Sequence, residues 1–138
     1  MESSSGLRIL FMNNISVVMV TGGGGTNPGP VELLSINGTR LCALPSLPEN
    51  KFFHTLSGLI TCGGGQPPNT DQKSCFTFSG GNWKKTHTLR QLRYGATSWA
   101  SPRGVLIMGG IYGQETTTEL LNEAGGSTAS FNLKNSRK

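Results

Sequence analysis

Three cysteines, two histidines, two tyrosines and seven carboxylates are the groups in this 138-residue chain whose chemistry could matter, and their spacing limits what they can do. Cys62 and Cys75 stand thirteen positions apart and neither belongs to a Cys-x-x-Cys pair, so the usual zinc spacing is missing. On neighbouring strands of one hairpin they could close a disulfide in an oxidising compartment, or stay as buried thiols in a reducing one. Cys42 is left over in either case. A copper centre needs convergent His and Tyr ligands, and His54, His87, Tyr94 and Tyr112 show no such spacing. Asp71, Glu115 and Glu119 form no carboxylate pair, and nothing announces a Ser-His-Asp set. The expectation is no catalytic residue, no metal and no cofactor.

Two other motifs invite a chemical reading. Gly22-Gly23-Gly24-Gly25 suggests a phosphate cradle, but a P-loop ends in Gly-Lys-Ser/Thr and opens a helix. Here Thr26-Asn27-Pro28-Gly29-Pro30 follows, which cannot start that helix. Asn14-Ile15-Ser16 and Asn37-Gly38-Thr39 match the glycosylation acceptor pattern, both on predicted turns. With the cysteines they leave a secreted and a cytoplasmic location equally open.

The net charge is +5, yet the cations are scattered: Lys84 and Lys85, then Arg90, Arg93 and Arg103, then Lys134, Arg137 and Lys138. A nucleic-acid surface would cluster them with aromatics on one face, so no nucleic-acid partner is expected. No membrane segment is expected either, because no apolar run is long enough to cross a bilayer. The run over 7–20 is broken by Asn13, Asn14 and Ser16 and reads as a strand pair rather than a signal sequence.

The elements that would position these residues are short strands. Twenty glycines and 7 prolines punctuate apolar runs, and only 14% of residues are charged, a composition that reads as all-β. Three of those runs end in a glycine pair: Gly22-Gly23, Gly63-Gly64 and Gly109-Gly110, spaced by 41 and 46 positions. Val31-Glu32-Leu33-Leu34 returns 87 positions later as Thr118-Glu119-Leu120-Leu121, about two periods on. The turn doublets Asn37-Gly38, Gly80-Gly81 and Gly125-Gly126 keep the same phase. Each period holds four strand candidates: 8–12, 15–21, 31–36 and 39–44; 53–57, 59–62, 75–78 and 83–88; 95–100, 104–108, 118–121 and 128–133. Asn37-Gly38 is the strongest hairpin signal and predicts a type I′ turn, with positive φ at both residues.

This pattern resembles the Kelch repeat: an apolar strand into a Gly-Gly pair, a variable loop, a strand, a turn, and a strand with an aromatic anchor. The middle repeat matches best, with Gly63-Gly64, Phe78 and Trp83, and Arg93-Tyr94 opening the next unit. A run such as Tyr94-Gly95-Ala96-Thr97-Ser98-Trp99 before a glycine pair is similar to invertebrate Kelch-type proteins. The resemblance spans about residues 9–133. It departs where Met19, Ile60 and Leu106 replace the usual aromatic before the glycines, and where Leu41 stands in place of the tryptophan in the first repeat.

The resemblance implies an incomplete β-propeller: three four-stranded antiparallel blades at about 8–44, 52–88 and 94–133, with a disordered tail at 1–7 and a basic tail at 134–138. Propellers close with about four to eight blades, so the expectation is a piece of a longer protein, or one completed by another chain. Expressed alone it should self-associate. A protein-binding module without catalysis is the function implied, with contacts on the loops of one face. The expected contact residues are Asn27, Asn50, Gln66, Asn69, Asp71, Gln72, Arg90, Arg93, Gln114 and Glu115. The alternative is a remnant of a secreted, galactose-oxidase-like copper or carbohydrate-active propeller.

Overall fold

The computed structural model describes residues 6–12, 15–21, 31–49, 51, 53–65, 73–111 and 116–134. Among them the chain is all-β. The strands are β1 (Gly6–Met12), β2 (Ile15–Thr21), β3 (Val31–Ser35), β4 (Arg40–Leu44), β5 (Thr55–Ser57), β6 (Ile60–Cys62), β7 (Ser74–Ser79), β8 (Asn82–Thr88), β9 (Thr97–Ser101), β10 (Gly104–Met108), β11 (Thr118–Leu121) and β12 (Ser127–Ala129). They form three separate four-stranded antiparallel sheets, each in simple sequence order, and none closes on itself. The apolar, β-branched runs make the second strand of each sheet, and glycines end them.

The turns follow from backbone sterics. Gly80 and Gly81, at φ 60° and 82°, form the two-residue turn that joins Ser79 to its partner Asn82. Asn37-Gly38 does make a hairpin, but not the type I′ turn its sequence suggests. Only Gly38 has positive φ, 85°. Gly38 N donates to Ser35 O at 2.9 Å and Ser35 N to Thr39 O at 2.8 Å. That is a three-residue loop with its glycine in the left-handed position. Asn37 keeps a negative φ, and its side-chain oxygen accepts from Thr39 N at 3.1 Å. The 122–126 loop repeats this pattern around Gly125.

Two boundaries differ from expectation. β1 begins at Gly6, so residues 6 and 7 are strand rather than tail. β12 ends at Ala129, after which the chain stays beside 116–118 through irregular bonds, Ser130 N to Thr118 O and Leu133 N to Thr116 O.

The sheets pack face to face in chain order. Met19, Val31, Leu33 and Leu44 of the first sheet meet Leu56, Phe76, Phe78 and Trp83 of the second, around Leu47 from the connecting segment. Ile60, Cys62 and Cys75 on the opposite face of the second sheet meet Val105, Ile107 and Leu121 of the third, around Leu89. The first strands lie together, β1 beside β5 and β5 beside β9, and Thr55 Oγ1 donates to Ser98 Oγ across the second contact at 2.5 Å. Trp83 is buried between sheets, its indole N–H donating to Pro45 O at 2.9 Å.

Candidate functional site

Residues 63–65 after β6, residues 109–111 after β10 and the segments joining the sheets meet at one end of the molecule. Gly64 N donates to Arg93 O at 2.7 Å, and Ile111 N to Tyr94 O at 2.9 Å. Tyr94 in turn stacks on Phe53, ring centroids 4.7 Å apart, while Gly95 N donates to Phe53 O at 2.9 Å. Phe53 itself has φ 51°, close to the φ 71° of Gly95. Each joining segment therefore makes the same backbone bend, once with a phenylalanine and once with a glycine.

Beneath this end lies a repeated device that spacing alone did not reveal. From the first joining segment, Lys51 enters the second sheet and donates to Gly63 O at 2.9 Å, Ser74 Oγ at 2.8 Å and Ser74 O at 3.3 Å. From the second, Arg93 enters the third sheet and donates to Gly109 O at 2.5 Å and Thr117 O at 3.2 Å. In both cases a buried cation satisfies the carbonyl of the first paired glycine and the carbonyl at the start of the third strand. The device answers a backbone need at the glycine carbonyls: the turn leaves Gly63 O and Gly109 O inside, and a buried acceptor must find a donor, whereas Ser74 O and Thr117 O already accept from Gly63 N and Gly109 N. A leucine four residues earlier, Leu47 or Leu89, is buried in the adjoining core.

The counter-charges differ. Arg93 Nε donates to Glu119 Oε1 at 2.8 Å. Glu119 Oε2 also accepts from Arg90 N at 2.7 Å and from Ser127 Oγ. Burial alone would raise the Glu119 pKa, but these donors and the Arg93 charge outweigh it and hold the carboxyl below its usual value. In the second sheet the position of Glu119 is taken by Phe76, whose ring lies 5.6 Å from Lys51 Nζ. There the carboxylate comes instead from the joining segment, Glu49 at 3.4 Å from Lys51. His54 sits close by, its Nε2 2.8 Å from Thr21 Oγ1. Burial, reinforced by the Lys51 charge, lowers its pKa from 6.5 to about 4.

The expected contact residues divide sharply. Asn27, Asn50, Gln66, Asn69, Asp71, Gln72, Gln114 and Glu115 lie outside the described residues, as do Asn14 and Tyr112. Arg90 is exposed at the loop end. Arg93 is not a surface contact: it is fully buried, and its guanidinium is occupied by Gly109, Thr117 and Glu119. Sequence polarity missed two apolar residues that the loop end does expose, Leu92 at 53% and Ile111 at 37%. Asn37 is exposed on its turn. Cys62 and Cys75 are direct cross-strand partners, Cα atoms 4.1 Å apart, with their sulfurs joined, and Cys42 is free and exposed.

His87 Nε2 lies 3.0 Å from Asn122 O, so the two histidines and Tyr94 are engaged by separate neighbours. Among the described residues no three His, Cys, Asp or Glu side chains gather where they could hold a metal ion. No protein-family model matches the chain, and a search of curated proteins finds no relative.

Proposed function

We propose that this chain is a run of three Kelch-type propeller blades serving as a non-catalytic protein-binding platform, with its contact surface at the loop end. The observation that carries the reading is the repeated cation device. Lys51 and Arg93 tie each joining segment to the first glycine of the pair in the next sheet, which gives this end of the two sheets a fixed base. Three sheets of identical strand order, stacked with their first strands together, support the blade interpretation. Loops held by a rigid scaffold are where recognition commonly resides. Leu92 and Ile111 are exposed apolar residues at that end, and Arg90 is exposed two positions before Leu92, which supplies residue types common in binding patches.

The test compares partner capture by the unmodified chain, by Leu92→Asp with Ile111→Asp, and by Ile36→Asp, an exposed residue on the β3–β4 turn. The reading expects a protein partner lost with the loop-end pair and kept by Ile36→Asp. Equal capture by all three overturns it. Stoichiometric copper in the purified protein would do so too, in favour of the oxidase-like alternative.

A further inference from the structure

Asn37-Gly38-Thr39, on the β3–β4 turn, matches the acceptor pattern for an N-linked oligosaccharide, and Asn37 and Thr39 are both exposed there. Asn37 Oδ1 accepts from Thr39 N at 3.1 Å and from Ser35 Oγ. A backbone N–H can only donate, so the carboxamide atom facing Thr39 N is the oxygen. The amide nitrogen Nδ2 is left to solvent.

A second loop in the chain shows what the turn itself requires. The 122–126 loop makes the same two backbone bonds, Asn122 N to Gly126 O at 3.0 Å and Gly125 N to Asn122 O at 3.3 Å, with Gly125 in the place of Gly38. Ala124 stands there where Asn37 stands here, and Gly126 where Thr39 stands. In both loops the first residue's side chain takes the last residue's N–H: Asn122 Oδ1 accepts from Gly126 N at 3.0 Å, and Ser35 Oγ accepts from Thr39 N at 3.1 Å. The loop thus closes with no carboxamide at its third position and no hydroxyl at its fifth. Thr39 gives the turn its N–H and carbonyl, and its hydroxyl takes no part in these bonds.

Two further observations agree. Buried Cys62 and Cys75 are joined, and disulfides persist in oxidising compartments, the setting in which this acceptor pattern is used. Ile36, next to Asn37, is 65% exposed and Leu41 51%, so a bulky hydrophilic chain on the turn would screen apolar surface. β4 runs from this turn to the first joining segment, which puts the turn at the end of the sheet opposite the loop end.

We propose that Asn37 is an N-glycosylation site whose donor is an oligosaccharide carried on a lipid pyrophosphate. Nδ2 attacks the anomeric carbon of the donor. A C–N bond forms as the anomeric C–O bond breaks, the lipid pyrophosphate leaves with the bonding electrons, and Nδ2 gives up one proton. The Thr39 hydroxyl is the group that the transferring enzyme reads. This modification is independent of the loop-end binding reading.

The test uses the protein isolated from the cells that produce it. Peptide N-glycosidase in heavy-oxygen water converts a glycosylated asparagine into a heavy aspartate, and peptide fragmentation in a mass spectrometer places that label at Asn37 or at Asn14. Label at Asn37 is expected. Thr39→Ala keeps the N–H and carbonyl that close the turn and should abolish the label at Asn37, whereas Thr39→Ser should retain it. Circular dichroism checks that both variants fold. An unlabelled Asn37 in the natural protein overturns the proposal, as does label at Asn14 alone or label at Asn37 that survives Thr39→Ala.

Discussion

The carbonyl oxygen of Arg93 lies 2.6 Å from where a Cβ on Gly63 would begin. No side chain fits that gap, and Gly63 is also at φ 65°, a conformation that disfavours any other residue. Gly80 has nearly the same φ, 60°, but open space around its Cβ position. The two glycines therefore separate backbone strain from close packing. Gly80→Ala should cost about 1 kcal/mol, the left-handed penalty alone. Gly63→Ala should cost clearly more, since the joining segment at Arg93 must also move away from the second sheet. Denaturant midpoints measure both, and equal losses would refute the close-approach explanation.

Arg93→Met tests the buried pair. Glu119 would keep its backbone and Ser127 donors but lose its charge partner, while Gly109 O would lose its donor. Breaking a buried pair by removing one partner typically costs about 3–5 kcal/mol. Arg93→Lys should lose less, because Lys51 already performs the corresponding task in the second sheet with a single ammonium. Adding Glu119→Gln to Arg93→Met should recover part of the loss. Strict additivity in that double-mutant cycle would mean that the two groups are not coupled.

These contacts show which parts of the molecule were readable in advance. Glycine pairs and turn doublets punctuate the chain because few other residues tolerate those φ values, so the four-strand periods could be located closely. Asn37-Gly38 marked its hairpin correctly but not its turn type, since Asn37 keeps a negative φ. Arg93 was read as a contact because it lies in a polar segment between blades, where a rigid scaffold commonly carries function. Its burial depends on carbonyls of Gly109 and Thr117 that only the packed third sheet supplies. The signal was present as Leu-x-x-x-Lys and Leu-x-x-x-Arg, but it has no meaning until the unpaired glycine carbonyls are seen. Leu92 and Ile111 were passed over because the expected contacts were all polar or charged.

Trp83→Ala should be the most damaging aromatic truncation. Its ring packs against Phe78, centroids 5.3 Å apart, in the core between the first two sheets, and its N–H is bonded to Pro45 O. Truncating a buried aromatic costs about 3–5 kcal/mol and leaves a cavity. Phe131, half exposed, should lose far less when truncated at protein concentrations low enough to suppress self-association. Similar denaturant midpoints for the two variants would contradict the burial of Trp83.

Acid should begin to destabilise the protein above the usual carboxylate range, and His54 is the reason. In the unfolded chain its imidazole takes up a proton near pH 6.5, whereas in the folded state burial and Lys51 delay protonation to about pH 4. The unfolded state therefore binds the extra proton throughout that interval, and stability falls as pH drops from about 6.5 to 4. A separation of this size corresponds to about 3 kcal/mol. Glu119 acts at lower pH and in the same direction. Its carboxyl is held below the ordinary value, so the stability it contributes is present above the unfolded pKa and is lost as acid protonates it. His54→Gln keeps a hydrogen-bonding group facing Thr21 Oγ1 but cannot titrate. The measurement is unfolding free energy at intervals from pH 8 to pH 3 for both proteins. His54→Gln should flatten the profile between about 6.5 and 4 and leave the steeper acid limb in place, whereas an unchanged slope in that window would assign the acid sensitivity elsewhere.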